Sequence, residues 1–118
     1  MRKKNTGEDV QKMIQYAFDR CGELCVLVFE AESGWRYDAK NTKNRNGTYD
    51  ISYCQLNSQY HLRFIKSVHF KDKYKVLDYC IGVWHDAKKR KKLKTTFYAL
   101  GVVNKSPGVK DRFEYIYK

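Results

Sequence analysis

Glu30-Ala31-Glu32-Ser33-Gly34-Trp35 places two carboxyls at the end of a wholly apolar run, Leu24–Phe29, with an indole beside them. Low-dielectric surroundings penalise the charged form, so a carboxyl placed there tends to hold its proton toward neutral pH. A proton held in that range is what general-acid cleavage of a glycosidic bond needs. Alone the signal is weak, because a lone glutamate at the edge of a core is more often a structural hydrogen-bonder. Residues further on add to it. Asp50 comes eighteen positions later, directly after a turn-rich stretch, and Gln55-Leu56-Asn57-Ser58 follows. A helix-end carboxyl, an opposing turn, then Gln and Asn together suit a sugar cleft. Amides and carboxylates match the paired donors and acceptors of sugar hydroxyls, and aromatic faces such as Trp35, Tyr37 and Tyr53 suit sugar rings.

These groups have to be held by the surrounding elements. Val10, Met13, Ile14, Ala17, Phe18 and Cys21 recur at spacings of three and four, which predicts a helix with one apolar stripe. Thr6, with Asp9 three residues on, is a candidate cap for its start, and Gly22 a candidate stop. The run from Leu24 to Phe29 predicts a segment buried on all sides, which periodicity cannot assign to helix or strand. Between Asp38 and Asp50 the composition flips to Asn41, Asn44, Asn46 and Gly47 among Thr and basic residues. Asn46-Gly47 predicts a tight turn in which both central residues take positive φ. Val76, Leu77, Cys80, Ile81, Trp84 and Ala87 form a second helical stripe, ending in the basic run Lys88–Lys92, where cations suit the helix dipole. Phe97–Val103 reads as a short apolar helix, Asn104–Gly108 as a loop, and Phe113, Ile116 and Tyr117 as one side of a last helix. The expected class is α+β, mainly α, with a small β-hairpin or turn region around residues 38–54.

A chain of 118 residues fits one domain, expected over residues 1–118 with a flexible tail at 1–7. A net charge of +11 points to polyanionic surroundings, with nucleic acid, anionic membranes and bacterial cell wall all qualifying. No apolar stretch approaches the roughly 20 residues of a membrane span, so stable membrane insertion is not expected. The opening Met-Arg-Lys-Lys is similar to the start of an export signal, but polar residues follow it, so the chain is expected to lack one. Cys21, Cys25, Cys54 and Cys80 form no Cys-x-x-Cys pair. On a continuous helix a Cys21–Cys25 bond is awkward, so buried free thiols are the first expectation and one or two disulfides the alternative. His61, His69 and His85 show no metal-ligand spacing, and no metal or cofactor is expected.

Three segments together, Glu32-Ser33-Gly34-Trp35, Asn44-Arg-Asn-Gly-Thr-Tyr-Asp50 and Gln55-Leu56-Asn57-Ser58, resemble the lysozyme superfamily. The nearest likeness is to the soluble lytic transglycosylase domain, in particular the small members serving secretion systems, conjugation and phage. The resemblance spans roughly Val10 to the C-terminus and implies a lysozyme-like fold. It implies Glu32 as the catalytic acid on the bond between N-acetylmuramic acid and N-acetylglucosamine, the Glu-Ser pairing favouring Glu32 over Glu30. Asp50 matches the second carboxylate of C-type lysozymes. The resemblance further implies cleft contacts from Ser33, Trp35, Tyr53, Gln55, Asn57, Tyr98 and Tyr115. Partners would be peptidoglycan strands and a secretion, conjugation or phage assembly, and the location the periplasm, cell envelope or a phage particle. Two positions depart from the pattern: Ser52 stands where the family has Gly, and Ala99 where Tyr98-Ala99-Leu100-Gly101 would carry Asn.

The acceptor can be water, as in lysozymes, or the sugar's own 6-hydroxyl, as in lytic transglycosylases. Two other classes compete with both. A catalytically inactive domain that only binds wall is kept open by Ser52 and Ala99. A basic nucleic-acid-binding module is motivated by charge and ten tyrosines, but it lacks a recognisable motif, so nucleic acid is not an expected partner.

Overall fold

The long apolar run resolves as helix, and it forms the axis of the molecule. A computed structural model describes residues 7–105. Within it α1 spans Glu8–Ser33, with a break at Gly22, whose φ of 86° and ψ of 178° belong to no helix. Gly22 therefore acts as the predicted stop, yet the chain re-enters a helix at once. The N-cap is Gly7, which makes no side-chain cap bond; Thr6 lies outside the described residues. Cys25 to Glu30 are six consecutive buried residues, so this half of α1 is enclosed on all sides. Gly34 ends it in left-handed conformation, its N–H bonded to Glu30 O at 2.8 Å.

A three-stranded antiparallel sheet follows, in the order β1 (Lys40–Asn41), β2 (Asp50–Ile51) and β3 (Leu56–Asn57). Asp50 pairs with Asn41 on one side and Asn57 on the other, and Ile51 with Lys40 and Leu56. The sheet thus reaches past the expected limit of 54, because Ser52–Gln55 turn the chain back on β2. In the β1–β2 loop Gly47 donates to Asn44 O at 3.2 Å and takes φ 76°. Asn46 is not among the positive-φ residues, so a single left-handed residue closes the turn, not the expected pair.

The remainder is helical: α2 (Ser58–Ile65), a 3-10 turn (Val68–Lys71), α3 (Lys73–Lys89), α4 (Leu93–Thr96) and α5 (Ala99–Lys105). The buried positions of α3 are the six that form its stripe in the sequence. Helices α3 and α5 both pack on α1. Phe29 sits at the centre, with its ring 5.9 Å from Trp35, 6.3 Å from Trp84 and 6.1 Å from Phe97. The class is α+β and mainly α. The last predicted helix lies outside the described residues.

The cysteines are paired, not free. Cys21–Cys25 and Cys54–Cys80 are disulfides, leaving no free thiol. The expected obstacle to Cys21–Cys25 was a continuous helix; the break at Gly22 removes it and brings the two Cα atoms to 5.7 Å. The Cys54–Cys80 bond ties the β2–β3 turn to the middle of α3.

Candidate active site

The C-terminal end of α1, the strands β1 and β2 and the start of α5 enclose one open groove of about 780 Å3. Glu32, Asp50, Asn41, Asn44, Gln55 and Tyr98 line it, along with apolar and hydroxyl groups from Ala31, Thr96, Ala99 and Val102. Two carboxyls expected from separate segments are thus brought to one wall system. Glu30, the rival acid, is 4% exposed and takes no part in that lining. Alternation along the helix end decides this: Glu30 turns into the core while Glu32, two residues on, faces out.

Glu32 Oε1 accepts a hydrogen bond from the Ala99 backbone N–H at 2.8 Å. Ala99 opens α5, and the first N–H groups of a helix have no partner within it. The Glu32 carboxyl is therefore positioned by a helix start. Ala99 meets it through its backbone, so the Asn-to-Ala departure leaves this contact intact.

Asp50 is held from three sides. Its Oδ1 accepts from Asn57 Nδ2 at 2.9 Å, and its Oδ2 accepts from Asn44 Nδ2 at 3.0 Å and Asn41 Nδ2 at 3.4 Å. The strand register puts Asn41 and Asn57 on either side of it, and the turn delivers Asn44. Thr48 Oγ1 braces this set, accepting from Asn57 at 3.1 Å and from Asn44 at 3.3 Å. In the sequence, Asn41 and Asn44 read only as turn formers. Their second role needs the register, which no local pattern carries.

Several expected substrate contacts are structural. Ser33 is fully buried, and its hydroxyl donates to Tyr53 O at 2.7 Å with Phe29 O 3.0 Å away, pinning the β2–β3 turn to α1. Trp35 is 1% exposed and packs on Phe29 and Tyr53. Losing such a buried indole costs about 3–5 kcal/mol, so the core outcompetes any sugar for its face. Tyr53 is also buried, with its hydroxyl 3.5 Å from Met13 Sδ, and burial pushes its pKa up. Asn57 caps α2, its Oδ1 accepting from Gln59 N–H at 2.9 Å. Gln55 does line the groove, but its amide N–H groups go to Ala39 O at 2.9 Å and Ser52 O at 3.0 Å. Among the described residues of the expected aromatic set, Tyr98 is the exposed one, at 89% on the groove edge, while Tyr37 is half-buried against Tyr53 and Phe70. Tyr115 lies outside the described residues.

Serine at position 52 carries a visible cost. Its φ is 74°, a conformation that favours glycine, and its buried Oγ has no hydrogen-bond partner among the described residues.

The groove continues. A cavity of about 290 Å3 shares Asp50, Gln55 and Thr96 with it, and one of about 490 Å3 adds Tyr60, His61, Val83 and Asp86 around Thr96. At their junction His61 Nδ1 lies 2.7 Å from Tyr79 Oη, and burial lowers the His61 pKa. Among the described residues no three His, Cys, Asp or Glu side chains are grouped to hold a metal ion. Among the described residues no helix is long and apolar enough to cross a membrane.

No known protein family matches the chain, and neither does any curated protein or solved structure.

Proposed function

We propose that the protein cleaves peptidoglycan glycan strands at the β-1,4 bond between N-acetylmuramic acid and N-acetylglucosamine, as a lytic transglycosylase of lysozyme-like type. The observation that carries this reading is the groove itself: Glu32 and Asp50, from different elements, line one open groove edged by amides and an exposed tyrosine. Glu32 protonates the bridging oxygen as the bond from the sugar carbon to it breaks. Positive charge then develops at that carbon, and the Glu32 carboxylate takes the proton of the attacking hydroxyl. With the 6-hydroxyl of the same muramic acid as nucleophile, the product is a 1,6-anhydro sugar and no water is consumed.

A second reading, hydrolysis with water as the acceptor, is favoured by Asp50. Its oxygens are fixed by three asparagine amides at the groove wall, a geometry suited to stabilising a cationic centre. Mass spectrometry of digested, purified peptidoglycan separates the two, because the anhydro product is lighter by one water. Wild-type protein is expected to release soluble anhydro-muropeptides and Glu32→Gln none. Release by Glu32→Gln at the wild-type rate overturns the assignment. No release by the wild type overturns it as well, and leaves a wall-binding domain only where the protein still co-sediments with sacculi. Asp50→Asn separates the routes again, with a large loss favouring water and a small one the intramolecular acceptor.

A further inference from the structure

Five consecutive cations, Lys88-Lys89-Arg90-Lys91-Lys92, all exposed, span the end of α3 and the turn into α4, and Lys94 adds a sixth. The chain closes this end by two hydrogen bonds, Lys91 N–H to Lys88 O at 3.1 Å and Lys92 N–H to Ala87 O at 2.8 Å. Such a closure puts one residue in left-handed conformation, a position glycine commonly fills. Here Lys91 occupies it, at φ 57°. A positive charge thus stands where backbone geometry alone favours glycine. Arg90 pairs with Asp86 at 3.6 Å, and no other member of the run forms an ion pair among the described residues.

Position matters as much as charge. Lys92 is the N-cap of α4, a single turn about 6 Å long that ends at Thr96, and Thr96 borders all three cavities of the groove. The 490 Å3 cavity reaches Asp86 and Ala87, the base of the basic turn. Neither it, the main groove nor the cavity between them is lined by a described Lys or Arg, while the main groove carries two carboxyls. The α3–α4 turn offers an acidic ligand in these joined cavities five consecutive cations, whereas Arg45 is the one cation lining a cavity of about 430 Å3 that shares Asn44 and Asp50 with the main groove.

We infer that the Lys88–Lys94 turn holds the free carboxylates of the peptide stems that branch from a glycan strand lying in the groove. The inference rests on the glycan-cleaving reading for its ligand. It is a holding site, separate from the bond-breaking groups.

The test measures co-sedimentation of the full chain, carrying Glu32→Gln to prevent digestion, with intact peptidoglycan sacculi. Parallel sacculi have their carboxylates converted to neutral amides by carbodiimide and ethanolamine. Intact sacculi are expected to bind about tenfold more tightly, a difference that shrinks with added salt. Lys88→Gln/Lys89→Gln/Lys92→Gln is expected to abolish that preference while the otherwise wild-type triple variant still cleaves amidated sacculi. Lys91→Gly separates charge from folding: it is expected to weaken the preference while raising the melting temperature. A triple variant that keeps the full preference overturns the proposal, as does a parent that shows none. Tighter salt-sensitive binding to duplex DNA or phosphatidylglycerol vesicles, lost in the triple variant, also overturns it by assigning the turn to another polyanion. The glycan-cleaving reading fails independently, when wild-type protein releases no muropeptide even though the carboxylate preference is present.

Discussion

Oε1 of Glu32 takes the backbone N–H of Ala99 at 2.8 Å, joining residues 67 positions apart at the mouth of the groove. The bond serves both partners, giving the first N–H of α5 an acceptor and fixing where the acid stands. Glutamine keeps an oxygen that can accept the same bond; alanine does not. Glu32→Gln is therefore expected to melt within a degree or two of wild type. Glu32→Ala should lose about 1–3 kcal/mol, the cost of a stranded N–H at buried Ala99. Thermal denaturation followed by circular dichroism reads both, and equal melting points would show that the bond is not holding α5.

Ser52→Gly is expected to stabilise the fold. It relieves a left-handed side chain, worth about 1–2 kcal/mol, and removes a buried hydroxyl that has no described partner. The opposing entropy of an added glycine is about 0.5–1 kcal/mol. The net gain of about 1 kcal/mol or more should raise the melting temperature by about 4 °C or more. A lower melting temperature would mean the hydroxyl has a partner that the geometry conceals.

The two disulfides should differ in worth. Cys54–Cys80 spans 26 residues of sequence and Cys21–Cys25 only 4. Chain-entropy arguments assign the longer loop about 3–4 kcal/mol and the shorter one about 2. Urea unfolding of Cys54→Ala/Cys80→Ala and of Cys21→Ala/Cys25→Ala should show the larger drop for the first pair. The reverse order would place the main constraint at the Gly22 break.

Acid should weaken the fold through His61. Burial lowers its pKa below the ordinary 6.5, so the unfolded chain binds a proton in a range where the folded chain does not. The stability this group contributes is present above about pH 6.5 and is lost as pH falls from there through the folded-state value. Melting temperatures from pH 8 to pH 5 should fall less steeply for His61→Gln than for wild type. Parallel curves would remove His61 from the account.

How much of this was legible in the sequence depends on which interactions were local. The α3 stripe, the Gly22 stop and the tight turn at Gly47 are consequences of neighbouring residues, and period and residue type reveal them. Glu32 was also legible as a candidate, because a carboxyl directly after an apolar run stands out. The disulfides were legible only as an alternative: Gly22 marked a break between Cys21 and Cys25, but not that the chain re-enters a helix with the two Cα atoms 5.7 Å apart. Trp35 and Tyr53 read as sugar platforms only because composition does not say which face of an aromatic is already covered.

The sequence by itself determined the helical core, the turn-rich insertion and the residue types available for chemistry, because those follow from backbone preference and short-range periodicity. Tertiary structure alone decided which groups meet: that Asn41, Asn44 and Asn57 converge on Asp50, that Glu32 accepts the first N–H of α5 at Ala99, and that Ser33 is a clamp. Each of these contacts joins segments whose approach is set by core packing and strand register, and those depend on the whole chain closing at once.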